Sequence, residues 1–555
     1  MWQQSYDPLG AVWLSTLLAA SPVIVLLGLL AIGVTALRSA AAGLATALLV
    51  AVFGYRMPVD LAFAAAGNGA AFGLFPIGWL VLSAVVFFRL QVQSGAFDVV
   101  KRSVARLSPD RRMQALLVAF SFGAFIEGAA GFGTPVAVSA AMLIGLGFPG
   151  LLAAGLSLIA NTAPVAFGSL GIPIVTLAKM IESDPQRLRA VETALSAMAG
   201  RQLPFFALII PLWLIAVLSG WRGVKQCWPA ILVCGGTFAL LQFLVSNFHG
   251  PTAVDVVAGA GSLAALALFL RWWQPKEIFR LESDLTAQAL TAQPSDPRRT
   301  VLWAWTPWAV LSVLVFLWAL QQVKAVLMSP YMGQSIEVPR LHNNVMRGPE
   351  VVKAPTPEKA VYDFFPLSAA GTALFLSALL SALWLRTSPK QFVATFVQTF
   401  WDMRTALGTI ALMLALAYTT KFCGSDATLG LAFTRAGWWY PFFAPLLGWL
   451  GVALTGSDTA SNALFGGLQK ITAEKLSLDP VLICASNSTG GVMGKMIDAQ
   501  SIVVAAVATG EHGREGAILR FVFRHSIALA ALVGVLTLIQ AYWLSWMIPH
   551  LPPAP

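Results

Sequence analysis

Glu127-Gly128-Ala129-Ala130-Gly131-Phe132-Gly133-Thr134-Pro135 stands at the centre of a stretch, residues 116 to 146, that is otherwise apolar enough to lie in lipid. A carboxylate, three glycines, a threonine and a proline do not suit a continuous lipid-facing helix. Backbone that leaves helical geometry inside hydrocarbon loses its internal hydrogen bonds and is tolerated only where protein or a water-filled cavity replaces them. The stretch is therefore expected to enter the membrane, turn at its glycines and return on the same side.

The surrounding chain agrees with a membrane setting. Of 555 residues, 57% are apolar and only 11% charged, and the mean hydropathy is positive. That apolar share exceeds the roughly 45–50% of an average soluble domain. Apolar runs of about the 20 residues needed to cross a bilayer recur throughout. The spans are predicted near 11–36, 41–55, 70–90, 151–177, 202–220, 228–246, 255–272, 301–320, 364–385, 405–421, 481–509 and 524–548. Two further segments, 115–146 and 438–470, are too long for one crossing and are broken midway. The expected fold is an all-α polytopic membrane protein with about twelve transmembrane helices and two re-entrant helical hairpins.

The net charge of +10 does not point to nucleic acid, because the basic residues lie in short clusters between apolar runs. Residues 89 to 112 carry Arg89, Lys101, Arg102, Arg106, Arg111 and Arg112 against Asp98 and Asp110. The positive-inside rule makes this loop cytoplasmic, together with Arg222, Lys225, Arg386 and Lys390. Counting spans from there puts both termini on the outer side of the membrane, which the resemblance named below makes the periplasmic side. The N-terminus has no basic n-region, so its first apolar run is expected to stay as an anchor. The polar loops 273–300 and 321–361 have near-balanced charge and no readable motif.

The halves repeat in layout. The Glu127 segment is followed by Asn161-Thr162-Ala163-Pro164, and Thr455-Gly456-Ser457-Asp458-Thr459 is followed by Asn487-Ser488-Thr489-Gly490-Gly491. By the span count the two hairpins enter from opposite faces, 115–146 from the cytoplasm and 438–470 from the periplasm. The chain divides into a first half, 1–246, a linking span and loop, 247–300, and a second half, 301–555. Inverted repeats whose interrupted helices meet near the midplane are a recurring plan of secondary transporters.

The interrupted segments carry the chemistry. Half-helix N-termini present unpaired N–H groups and partial positive charge, which suits a small carboxylate. Gly131, Gly133, Thr134, Asn161, Thr162, Ser457, Thr459, Asn487, Ser488 and Thr489 are the candidate substrate contacts. An ion at a helix centre in the bilayer costs ~2.5–3.5 kcal/mol even on a lenient insertion scale. Glu127, Asp458, Lys495 and Asp498 therefore need reasons. A carboxyl taken out of water is favoured in its protonated form, which makes Glu127, with Asp458, the candidate for proton coupling. Lys495 is the candidate partner of a carboxylate. Each has a plainer alternative: Glu127 as a cap on the turn, Asp458 as an N-cap, Lys495 snorkelling, and the Asn, Ser and Thr side chains as interhelical glue. His525, beside Arg524, suits an interfacial place.

Other chemistries are not supported. Cys227, Cys234, Cys423 and Cys484 form no Cys-x-x-Cys pair, and no metal-ligand spacing or catalytic constellation occurs. Gly490 to Met496 has P-loop-like glycines, but Met496 stands where a magnesium-holding hydroxyl belongs.

These same residues resemble the bacterial L-lactate permease family over nearly the whole chain, from Trp2-Gln3-Gln4-Ser5-Tyr6-Asp7-Pro8 to Trp546-Met547-Ile548-Pro549-His550. The resemblance includes Phe125 to Gly133, Asn161 to Gly168, Gly200-Arg201-Gln202-Leu203-Pro204, Leu454 to Thr459 and Asn487 to Lys495. It implies import of lactate, glycolate and related 2-hydroxy monocarboxylates with protons, on a fold with paired re-entrant hairpins. This chain has Asp498-Ala499 where the family pattern has Ser-Pro, so the proton-carrying role falls to Glu127. The expected partners are the substrate, protons and the lipid bilayer, with no cofactor, metal or nucleic acid; a homodimer is compatible with this reading. A sodium-coupled carboxylate carrier, an integral-membrane enzyme and a passive channel are the rivals.

Overall fold

The computed structural model describes residues 1–549 apart from Gly33, Ala130, Phe132, residues 183–184, 282–295, Pro349 and residues 352–354. Two residues of the opening motif, Ala130 and Phe132, thus lie outside the described residues, as do parts of both polar loops and His550.

Among the described residues, seven helical runs are long and apolar enough to cross a membrane, and two more arise from bent pairs. The bent pairs are Gly150–Ala160 with Val165–Ile181, at 62°, and Pro389–Thr405 with Leu407–Cys423, at 48°. The run Arg187–Phe248 is itself a helical hairpin. Gly220 turns the chain with φ 68° and ψ −175°, and Gly235 returns so close that a Cβ there would lie 2.8 Å from the Ala207 carbonyl oxygen. With the shorter apolar helices Val254–Phe269 and Gly371–Trp384, the helices correspond one for one to the predicted spans.

Two spans are longer than their sequences suggest. The run predicted near 70–90 extends over Val59–Gln93, because Asp60, Gly67, Asn68 and Gly69 dilute the apolar signal of its first half. It lies along Pro389–Cys423, with the backbone of Gly69 against Leu414, that of Gly73 against Ala411, and Arg89 paired to Asp402 at 2.8 Å. Glycines at these contacts let the backbones approach, the usual means of helix association in lipid.

The connections sort by face. On one, Asp110 pairs with Arg112 at 2.6 Å, Arg222 with Glu277 at 3.1 Å and Arg102 with Asp296 at 2.7 Å. This basic face gathers the 89–112 loop, the Gly220 turn and the described part of 273–300. On the other face, Trp2–Gln3 forms a strand parallel to Val345–Arg347, which pairs in turn with Thr356–Pro357. Gln334–Glu337 pairs antiparallel with Val361–Phe364. The 321–361 segment, read from sequence as a mere connector, therefore carries two small sheets and anchors the N-terminus.

The most buried long span is also the least apolar. The second broken crossing, Pro480–Thr509, is the least apolar of the long spans yet 89% of its window is buried, against 22% for Val12–Leu29. Trp13, Phe53, Phe63 and Trp228 project from outer faces, where lipid tails are the natural solvent, while Ser486, Asn487, Ser488 and Thr489 are buried completely. Polar side chains sit inside because only there can they find partners.

Candidate functional site

Both predicted hairpins are present. The first consists of a helical arm, 111–129, and the arm Thr134–Gly145. The second consists of Tyr440–Thr455 and Asp458–Lys475. Their tips meet at a buried cleft lined by Glu127 and Gly131 from the first, and by Gly456, Ser457, Asp458 and Thr459 from the second. Val165, Gly168, Ser169 and Pro173 of the first broken crossing and Lys495 of the second complete the wall.

The first tip turns through Gly131 and Gly133, at φ 60° and 85°, a region open to glycine at little cost. Gly131 N–H donates to the Glu127 carbonyl at 3.0 Å, and Thr134 N–H to the Gly131 carbonyl at 3.1 Å. The Glu127 side chain is 3% exposed and lies flat against Gly168, where a Cβ would stand 2.5 Å from Oε1. A side chain at Gly131 would meet the Ser169 hydroxyl. The glycines of the motif thus serve two ends, turning the chain and clearing space for the carboxyl group.

The first broken crossing leaves helical geometry after Ala160. A turn over 161–164 and a 3-10 segment, Val165–Phe167, lead to Ser169, Leu170 and Gly171, all left-handed with φ of 48°, 56° and 77°. Two non-glycine residues held there carry strain that persists when the surroundings over-determine it, often at functional sites. Asn161 is buried beside this break, its side chain within reach of the Glu127 carboxyl but without a hydrogen bond of good geometry. Thr162 is spent on its own helix, donating to the Ile159 carbonyl at 2.7 Å. Thr134 opens the returning arm with its hydroxyl buried and unpartnered.

The second hairpin turns at Gly456, φ 72°, and Ser457 caps the next helix by accepting from Ala460 N–H at 3.3 Å. Asp458 follows in the first turn. One of its oxygens accepts from Asn462 Nδ2 at 3.3 Å and from the Ser488 hydroxyl, while Oδ1 is buried without a partner.

The second broken crossing departs from expectation. The polar run Asn487 to Gly491 is helical, and the helix Pro480–Gly494 ends only at Lys495, with the next helix starting at Ala499. The tolerance has a physical reason: Gly490 and Gly491 sit flush against the Pro445 carbonyl and Asp458, so they serve close packing rather than a turn. At the actual break, Lys495 Nζ donates to the Gly456 carbonyl at 2.6 Å and stands 3.2 Å from Asp498 Oδ2. Asp498 is the N-cap of Ala499–Thr509, accepting from Ser501 N–H at 2.8 Å.

Of the predicted site residues, the fold brings Glu127, Gly131, Ser457, Asp458, Thr459 and Lys495 around one cleft, with Ser488 behind Asp458. Gly133 stands at the same tip, nearest Val504. Asn487 and Thr489 turn elsewhere. Asn487 donates to Asn462 at 2.9 Å and accepts from Gln469 at 3.0 Å, while Thr489 donates to Gln202 at 2.7 Å. Both join helices, the interhelical role weighed for them above. Ser169 was missed, although its setting, Gly168-Ser169-Leu170-Gly171-Ile172-Pro173, has the glycine and proline punctuation of a turn. Asp255 was missed too; a lone acid in the apolar run after Pro251 is a signal in its own right.

A family model described as L-lactate permease matches residues 15–544. The chain is 43% identical over 564 residues to the glycolate permease GlcA of Escherichia coli strain K12, covering 99% of each. It is 44% identical over 558 residues to an L-lactate permease of Salmonella typhi, covering 99% of this chain and 100% of that one. Among solved structures it aligns with the Alcanivorax borkumensis YdaH transporter at 13% identity and a TM-score of 0.32, covering 96% of this chain and 100% of that chain.

Proposed function

The chain belongs to the L-lactate permease family, and on that premise we propose that it imports L-lactate and related 2-hydroxy monocarboxylates, D-lactate and glycolate among them, by proton symport across the bacterial inner membrane. The observation that carries the reading is the meeting of two hairpin tips around a buried cleft holding Glu127, Asp458 and Lys495. Relatives bearing the names L-lactate permease and glycolate permease support the substrate class.

The geometry suits a small monoanion. The returning arm of the first hairpin begins at Thr134, and no side chain caps it; with Thr134 and Ala137 N–H bonded to the Gly131 and Gly133 carbonyls and Pro135 lacking one, the Val136 N–H is its open donor. At the two second-half N-termini the place is taken, by the Ser457 hydroxyl and by the Asp498 carboxylate. A substrate carboxylate is therefore held from the first-hairpin side, with the remaining ammonium hydrogen of Lys495 opposite, since Lys offers three donors and two are engaged. The 2-hydroxyl goes to Ser457, Thr459 or Asn161. The proton rides on Glu127.

Proton coupling follows from electrical work. Importing a monoanion against a negative interior costs ~2.3 kcal/mol per 100 mV, and one accompanying proton removes that cost. Movement of one repeat unit past the other then exposes the cleft to each side in turn; the hairpin plan favours sliding over rocking.

The test is uptake of labelled L-lactate into proteoliposomes. An inward proton gradient is expected to drive accumulation above equilibrium, with counterflow and saturation. Accumulation that follows a sodium gradient and ignores pH overturns the symport assignment, and unsaturable flux overturns the carrier.

A further inference from the structure

The strongest unassigned group is Asp255, second residue of the helix Val254–Phe269. It is 1% exposed, and neither carboxyl oxygen has a hydrogen-bond partner of good geometry, the Gln242 side chain being the polar group within reach. It therefore does not cap its own helix, the plain role for an acid in a first turn. The polar side chain beside it is Gln242, whose amide donates to the Ala163 carbonyl at 3.3 Å while its own Oε1 is also buried and unpartnered. Buried polar atoms without partners are rare enough in folded proteins to ask for a reason.

The reason is positional. Gly128, the residue after Glu127, lets the first hairpin lie directly on this helix. A Cβ at Gly128 would stand 2.6 Å from Val256 N and 2.9 Å from the Asp255 Cβ. Glu127 lines the cleft and Asp255 does not, so Asp255 lies behind Glu127, away from the substrate. Of the titratable groups on elements packed against this helix, Glu127 is the one that faces Asp255. Cys234 faces Ser121 and Ser262, two turns away. Arg201 is held by Asn247 and the Met547 carbonyl, and Lys179 is exposed at the far end of its helix. Lys495 faces Glu127 and Asp458 across the cleft. No cation stands next to Asp255 among the described residues.

We propose that Asp255 is a second proton-carrying carboxyl, exchanging a proton with Glu127 and storing it behind the substrate cleft. This inference rests on the proton-symport reading. The step is balanced: the O–H bond on Glu127 breaks, the same proton bonds an Asp255 oxygen, and Glu127 is left as the carboxylate. Gly128 brings the first hairpin onto the Asp255 turn, and one proton shared between the two carboxyl groups spares the site a second uncompensated charge. With the proton on Asp255 an O–H donor becomes available to Gln242 Oε1. With it on Glu127, the neutral acid faces the cleft.

The experiment uses the full-length carrier in proteoliposomes and scores the ratio of pH-gradient-driven L-lactate accumulation to L-lactate counterflow, which reports folded carrier. In Asp255→Asn this ratio is expected to fall by about 5- to 150-fold, the usual range of coupling between two ligands. In Asp255→Glu accumulation returns, with a displaced pH midpoint. A ratio equal to the native one in Asp255→Asn overturns the role, and so does a native pH midpoint in Asp255→Glu if the Asn variant lacks counterflow. If the native carrier itself ignores the pH gradient, the symport reading fails first and the inference falls with it.

Discussion

Lys495 holds a structural post at the cleft proposed for the substrate. Its ammonium caps the end of Tyr440–Thr455 through the Gly456 carbonyl and pairs with Asp498, so it ties the tip of the second hairpin to the break in the adjacent crossing. Removing one partner of a buried pair leaves the other charge uncompensated, at a cost of about 3–5 kcal/mol. Lys495→Met is therefore expected to lower the thermal stability of the detergent-solubilised carrier by that order and to abolish uptake. Asp498→Asn keeps an efficient N-cap while removing the charge, so the double variant should recover much of the lost stability without recovering uptake. A double variant as unstable as Lys495→Met would show that Asp498 is not what Lys495 neutralises. Glu127 is the simpler case, since Glu127→Gln keeps the shape beside Gly168 and loses only the titratable proton. Full gradient-driven accumulation by that variant would reduce Glu127 to a cap on the turn.

Between elements, glycine decides how close the hairpins come. Gly128→Ala places a methyl group 2.6 Å from Val256 N, and overpacking of this kind typically costs about 1–3 kcal/mol; calorimetry or a thermal-shift series on the purified variant checks it. The hairpins were legible in the sequence because an acid, glycines and a proline inside an apolar run conflict with a single crossing. The place of the second break was not. Gly490 and Gly491 mimic a turn in sequence, and only the neighbouring helix shows that their missing side chains make room for Pro445 and Asp458. Asn487 and Thr489 were misplaced for the same reason, because a buried amide or hydroxyl has the same sequence signature whether it faces a cleft or another helix. The 321–361 segment was illegible because its short strands depend on the distant N-terminus. Its anchoring is open to a pH test. Burial alone would push the Glu358 carboxyl up, but Lys421 at 2.9 Å and Arg347 at 3.7 Å together hold it below its ordinary 4.5. A depressed value in the folded protein means that the pair stabilises fully above 4.5 and is lost as pH falls through the lower value. Limited proteolysis of the 321–361 segment should accelerate as the pH is taken well below 4.5, and Glu358→Gln should remove that step.

Taken across the membrane, the fold separates two sets of connections, and the inverted-repeat reading depends on which set faces the cytoplasm. The basic loops, the Gly220 turn and residues 273–281 share one face. The N-terminal strand, the 321–361 sheets and the C-terminal Met547, whose carbonyl accepts from Arg201, share the other. The positive-inside rule assigns the first set to the cytoplasm. With that assignment the first hairpin enters from inside and the second from outside, the arrangement that the proposed relative shift of the halves requires. The prediction is direct, because the four native cysteines are all buried and give little background to a thiol label. Lys359 and Lys390 are both exposed and lie on opposite faces. Lys359→Cys should react in intact spheroplasts with a maleimide that cannot cross the membrane, whereas Lys390→Cys should react only after permeabilisation. The reverse pattern would keep the fold but invert it in the bilayer, putting its basic loops outside, and the direction of transport argued from the proton gradient would then need a different source of asymmetry.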